Sequence, residues 1–313
     1  MMKIRNLALT AVMFLCLVAV TQADMVVQSK STVEMPGMGE MTMDGLQYVR
    51  GDRTYSSSTG KAGGPMGSQT VENVQIVRLD KGVSWIVEPA QKTYTELSMA
   101  TMKKMMESQG QGQGKVPNAS DEYEWTLTFV DDPGSKTIGG VKCDGVVGKA
   151  VGVKKKDNKD SLFVNFEQWV GMPDGGDKFE AFKEKYIEVT GMDDNFLSQM
   201  MKNPMMATYA EQMDKLYKKA LELKGFPMLT KLVIENTENP MGAVADEEMD
   251  EEAKAMMEKM GIQMPGAKKS GEHYTVMSIA NEVLKIEEKS VADTQYDIPE
   301  GFTKKEMPGG MGM

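Results

Sequence analysis

Outside its first 23 residues the sequence holds one cysteine, Cys143, and one histidine, His273. A thiolate beside an imidazole would make a Cys-His dyad, and such partners need not be neighbours in sequence. Nothing local supports the pairing. Val141-Lys142-Cys143-Asp144 reads as strand, a setting in which a lone cysteine is a small buried hydrophobe. The sequence has no two-histidine metalloprotease signature, no Gly-x-Ser-x-Gly elbow and no Cys-x-x-Cys pair. Gly148-Lys149 imitates a phosphate loop, but Ala150 stands where Ser or Thr is required and Cys143 stands at the first glycine. The expectation is a non-enzymatic protein without a cofactor.

Sulfur offers a second chemistry. Methionine occurs 31 times, and Met35, Met38, Met41 and Met43 fall within nine residues. Thioethers are soft ligands that favour Cu(I) and Ag(I), so these four are the candidate metal site of an alternative reading, with the Met307, Met311 and Met313 tail behind them. The clusters at Met99, Met102, Met105 and Met106, at Met200, Met201, Met205 and Met206, and at Met256, Met257 and Met260 lie on apolar helical stripes. There methionine serves as core filler.

The elements that must position these groups are mostly strands. In Glu122 to Val130, Tyr123, Trp125, Leu127 and Phe129 alternate with polar residues, so one face is apolar and needs a cover. Val71 to Leu79 and Val83 to Val87 form a hairpin turning at Asp80-Lys81-Gly82. Gly139 to Val153 and Leu162 to Val170 form another, and Met25 to Met35, Met41 to Val49, Met228 to Asn236 and Tyr274 to Glu288 complete the strands. Helices are expected at Leu97 to Ser108, Asp177 to Val189, Pro204 to Leu223 and Ala245 to Met260. The third carries a stripe of Met206, Tyr209, Met213, Leu216, Tyr217 and Ala220 suited to covering a sheet. The acidic start of the fourth lacks calcium-loop spacing and reads as a solvated helix face.

Residues 1–23 have the form of a cleaved secretory leader. Lys3 and Arg5 precede the 14-residue run Leu7 to Val20, which is too short to span a bilayer, and Thr21-Gln22-Ala23 supplies the cleavage site. Bulky Leu15 before Cys16 argues against a lipoprotein anchor. The destination expected is the periplasm of a bacterium, or secretion. Losing Lys3 and Arg5 with the leader takes the net charge from −10 to −12, which opposes binding to nucleic acid and to anionic membrane surfaces. Cys143 alone cannot form an internal disulfide, and no later apolar run is long enough to cross a membrane. The expected organisation is a single β-rich domain over 24–303 with helical insertions near 97–121, 177–223 and 238–270, then a flexible Met/Gly tail over 304–313.

Ile76 to Pro89, followed by Lys92-Thr93-Tyr94-Thr95-Glu96, resembles a family of secreted bacterial proteins distantly similar to the lipoprotein-carrier LolA/LolB-like fold. Gly140 to Asp144, Trp169, Gly225-Phe226-Pro227 and Tyr296 to Phe302 fit the same comparison. The resemblance implies an α+β fold, a curved antiparallel sheet forming an unclosed barrel whose concave face is covered by helices. It further implies a binding or carrier protein for an apolar, lipid-like ligand and no catalytic residue. The ligand-cavity candidates under that reading are Trp85, Tyr123, Trp125, Phe129 and Trp169. The Met-rich helical insertions depart from the compact carriers.

Overall fold

The computed structural model describes residues 23–35, 39–62, 69–104, 122–156, 161–191, 208–237 and 273–306. Residues 1–22 of the leader, Met38, the helix expected at 245–260 and the tail methionines lie outside the described residues. β-Branched and alternating segments give the strands β1 (Asp24–Met35), β2 (Gly39–Arg50), β3 (Arg53–Ala62), β4 (Gln69–Arg78), β5 (Val83–Glu88), β6 (Thr93–Ser98) and β7 (Tyr123–Phe129). They continue with β8 (Ser135–Ile138), β9 (Val141–Lys154), β10 (Ser161–Gly171), β11 (Phe226–Asn236), β12 (Tyr274–Lys289) and β13 (Thr303–Lys305). Among the described residues, two longer helices, α1 (Gly176–Thr190) and α2 (Ala210–Ala220), interrupt them, and a short helical stretch runs over 99–104.

All thirteen strands share one curved sheet that does not close, in the order β13-β6-β5-β4-β3-β2-β1-β12-β11-β10-β9-β7, with β8 paired to β9. Neighbours are antiparallel except β13 and β6, which run parallel, a departure from the purely antiparallel expectation. The seam at its centre joins β1 to β12, pairing Asp24 with Lys289 and Glu34 with Ser278. The hairpin turn at Gly82 adopts φ 66°, a left-handed conformation that a glycine takes without steric cost.

Both helices lie on one face. α1 buries Phe182 and Tyr186 with Met25, Val27, Val49 and Val77, while α2 buries Met213, Leu216 and Tyr217 with Val164, Phe166, Leu232 and Ile234. Strand alternation puts all of these sheet residues on the same side. The opposite face of β4 and β5 is covered by the C-terminal segment, whose Ile298 and Phe302 pack on Ile76, Trp85 and Val87. Charge fixes that segment in place. Arg50 donates to the fully buried Asp24 carboxylate at 2.5 and 2.9 Å and pairs with Asp293, and Arg78 reaches Asp80 at 2.7 Å and Asp297 at 2.6 Å.

Four strands depart from the sequence reading. β3, β6, β8 and β13 were not predicted. Thr93–Ser98 is strand, so the helix expected from Leu97 begins at residue 99, with the Ser98 hydroxyl accepting from the Thr101 amide at 3.0 Å. α2 starts at Ala210, and of the preceding expected helix only 208 and 209 are described, as turn.

Candidate functional site

Tyr123, Trp125, Leu127 and Phe129 project from β7 on the helix-bearing face, as their alternation requires, and each stays half-buried. Trp125 meets the Tyr209 ring edge-on at 6.4 Å, and burial pushes the Tyr209 phenol up to about 12, keeping it neutral. β9 makes room for this ladder with glycines. A Cβ at Gly152 would lie 2.9 Å from the Trp125 ring, and one at Gly148 would lie 2.5 Å from Leu216 and 3.0 Å from Phe129.

The five cavity candidates do not converge. Tyr123, Trp125 and Phe129 share the ladder. Trp85 and Trp169 fall on the other side of the sheet, Trp85 beneath the C-terminal segment and Trp169 over Gly145. Trp169 is 1% exposed, donates to Glu167 at 2.5 Å and carries the Lys136 ammonium 4.3 Å above its ring. Trp85 donates to Glu96 at 2.9 Å. Both indoles are therefore satisfied parts of the packing.

The dyad is excluded by topology. His273 stacks on Phe163 at 4.2 Å, whereas Cys143 pairs with Gly171 at the other end of the same strand, β10. Eight residues of extended chain separate those two positions, about 27 Å at roughly 3.4 Å per residue. The Cys143 thiol is buried and its pKa is pushed up by that burial, the opposite of an activated nucleophile. Among the candidate methionines, Met41 and Met43 occupy alternate positions of β2 and so share the helix-bearing face; Met35 pairs with Gly39, and Met38 is not described. Among the described residues no group of three or more His, Cys, Asp or Glu side chains could hold a metal ion.

Sequence reasoning missed a hollow. On the helix-bearing face, β1 to β5 and β12 form an open hollow of about 470 Å³ lined by Ser29, Gln47, Ser56, Ser58, Asn73 and Gln75, together with Met43 and Ile86. The registers Ser29–Gly45–Ser58–Asn73 and Gln47–Ser56–Gln75 set these side chains in two rows across adjacent strands. At the seam the hollow's Ser31–Asn281 pair abuts the Val33–Ile279 pair, which belongs to the apolar cluster beneath α2. Period-two alternation was the available signal in β2. In β3 the run Ser56-Ser57-Ser58 erased it.

No family model matches this chain, and no curated protein matches it. Among solved structures, it resembles a LolA superfamily protein from Nitrosomonas europaea at 9% identity and a TM-score of 0.24, covering 88% of this chain and 90% of that one. It also resembles a domain from Vibrio parahaemolyticus assigned to outer membrane lipoprotein sorting, at 8% identity and a TM-score of 0.21, covering 88% and 89%. A likeness at this level fixes neither ligand nor activity. Among the described residues no helix is long and apolar enough to cross a membrane.

Proposed function

We propose that this chain is a non-enzymatic binding or carrier protein for a lipid-like ligand with an apolar chain, acting in the periplasm or after secretion. The observation that carries the reading is the junction at β1 and β12, where a hollow rich in hydroxyls and amides abuts an apolar cluster under a short helix. Such a surface recognises molecules that have both a polar and an apolar part. The half-buried ladder on β7 adds apolar area on the same face.

α2 is the movable part in this reading. Phe166, Met213, Leu216 and Leu232 enclose only about 10 Å³ beneath it, about the space of one water, so an alkyl chain enters only when α2 shifts outward. Met213 suits that role, because an unbranched thioether repacks around variable shapes. The copper reading has Met41 and Met43 on one face as its remaining geometry.

The test is native mass spectrometry of protein isolated from its own host. The expected result is a mass excess that organic extraction removes. Protein that carries no extractable adduct and takes up no dodecyl amphiphile on incubation would overturn the reading.

A further inference from the structure

The hollow differs from the rest of the helix-bearing face in one respect that names its ligand chemistry. Its lining includes serine hydroxyls from β1 and β3 and side-chain amides from β2, β4 and β12, but no Asp, Glu, Lys, Arg or His. Part of this polar capacity is used internally: Ser31 donates to Asn281 at 3.1 Å, Gln75 to Ser84 at 3.1 Å, and Ser56 to the Gln75 carbonyl at 3.4 Å. Ser29, Gln47, Ser58 and Asn73 make no side-chain hydrogen bond to another described residue, although Ser29, Gln47 and Ser58 are half-buried. Half-buried hydroxyls and amides without protein partners are satisfied by water or by a ligand that matches them.

Their arrangement is regular. Ser29, Ser58 and Asn73 lie in one row, with Gly45 between the two serines, and Gln47, Ser56 and Gln75 lie in the next. Within a row, neighbouring strands lie about 4.8 Å apart, a spacing comparable to the breadth of one sugar ring, and the two rows lie about 7 Å apart along the strands. Gly45 keeps the row open, since a Cβ there would stand 2.5 Å from the Ser29 hydroxyl. A charged group set into this hollow would find no counter-ion on its walls and would lose hydration without compensation. An alkyl chain there would strip water from the serines and amides and return no hydrogen bond. An uncharged group with several hydroxyls does neither.

We infer that the hollow between β1 and β5 binds an uncharged, polyhydroxylated group, and that this group is the head of the ligand whose apolar chain runs across the Ser31–Asn281 pair toward α2. The inference rests on the carrier reading for the second half of that statement only.

The test uses the full chain beginning at Asp24 and three probes below their micellar concentrations: dodecyl maltoside, dodecanoate and free maltose. Binding is followed by calorimetry for the wild-type protein and for a Ser29→Ala/Ser58→Ala/Asn73→Ala variant. Its three sites are surface-facing, and circular dichroism with urea unfolding confirms that it folds. The expected result is that dodecyl maltoside binds at least roughly tenfold more tightly than dodecanoate or maltose. The variant loses that preference and retains its dodecanoate affinity. Equal binding of dodecyl maltoside and dodecanoate, unaltered in the variant, would overturn the headgroup assignment and leave the carrier reading standing. Maltose binding as tightly as dodecyl maltoside would show a site for free sugar, overturning both the linked tail and the carrier reading. If none of the three probes binds, the inference is refuted together with the carrier reading.

Discussion

The contact between α2 and the sheet can be tested by a pair of substitutions whose effects must not add. Leu216 is 1% exposed and sits over Gly148, where a Cβ would come within 2.5 Å of its Cδ2 atom and 3.0 Å of the Phe129 ring. The leucine tip cannot swing aside freely, because Phe166, Met213 and Leu232 close around it. Gly148→Ala therefore overpacks the contact, at a cost of about 1–3 kcal/mol. The gain from replacing a strand glycine offsets roughly 0.5–1 kcal/mol of that. Leu216→Ala alone leaves a hole and costs about 2–5 kcal/mol. In the double variant the new methyl at 148 points into the space the leucine vacated. It is relieved of the leucine contact, keeps only the 3.0 Å approach to the Phe129 ring, and does not leave the whole cavity empty. The double variant is expected to be more stable than the sum of the single effects by about 1 kcal/mol or more. Urea unfolding of the four proteins, followed by far-ultraviolet circular dichroism and tryptophan emission, measures the cycle. Additivity within about 0.5 kcal/mol would mean that the two positions do not touch, and the docking of α2 on β9 and β10 would be refuted.

Three further outcomes follow from the same packing. Gly145→Ala is expected to cost about 2–3 kcal/mol and to alter tryptophan emission, because the added Cβ would lie 2.6 Å from the rigid Trp169 ring; an unchanged unfolding midpoint would contradict that contact. Hydrogen bonding from Arg78 lowers the Asp80 pKa from 3.8 to about 2, so its folded-state pKa is depressed. Its contribution is present above pH 3.8 and is lost as pH falls through about 2; a stability-pH profile should decline there, and Asp80→Asn should flatten the decline. Cys143 should resist a thiol reagent in the folded protein and react on unfolding in urea; fast labelling under native conditions would show that the thiol is not buried.

Sequence pattern carried the fold furthest where one face of a strand is dry. β7, β9, β10 and β12 were read to within a residue or two, because Tyr123, Trp125, Leu127 and Phe129, or Val164 and Phe166, alternate with polar neighbours. β3 was invisible for the converse reason. Its helix-facing positions Ser56 and Ser58 line a polar hollow, and serine runs read as turn. β6 is Thr-Tyr-Thr-Glu-Leu-Ser, half-buried at every position, so it has no alternation to detect. The aromatic ladder was legible as an apolar face. That Trp85 and Trp169 lie on the other side was not, because sidedness across the sheet depends on the registers of intervening strands. The hollow depends on six strands from distant parts of the chain, a grouping that no local signal encodes.

The β1–β12 seam has a consequence for how the molecule is made. β2 to β6 and the β9–β10 pair can assemble from local hairpins as the chain emerges, and β11 joins β10 across the α1 and α2 connection, but the strand that joins the two groups pairs Asp24 with Lys289. During synthesis β1 waits with one edge unpaired until nearly the whole chain has appeared. The sheet is completed by its most distant contact, which makes folding slow for its size and leaves the nascent protein open to other strands in the interval. A chain that stops before residue 273 contains both flanks and lacks the strand that joins them, so it should accumulate as aggregates rather than as a smaller folded protein.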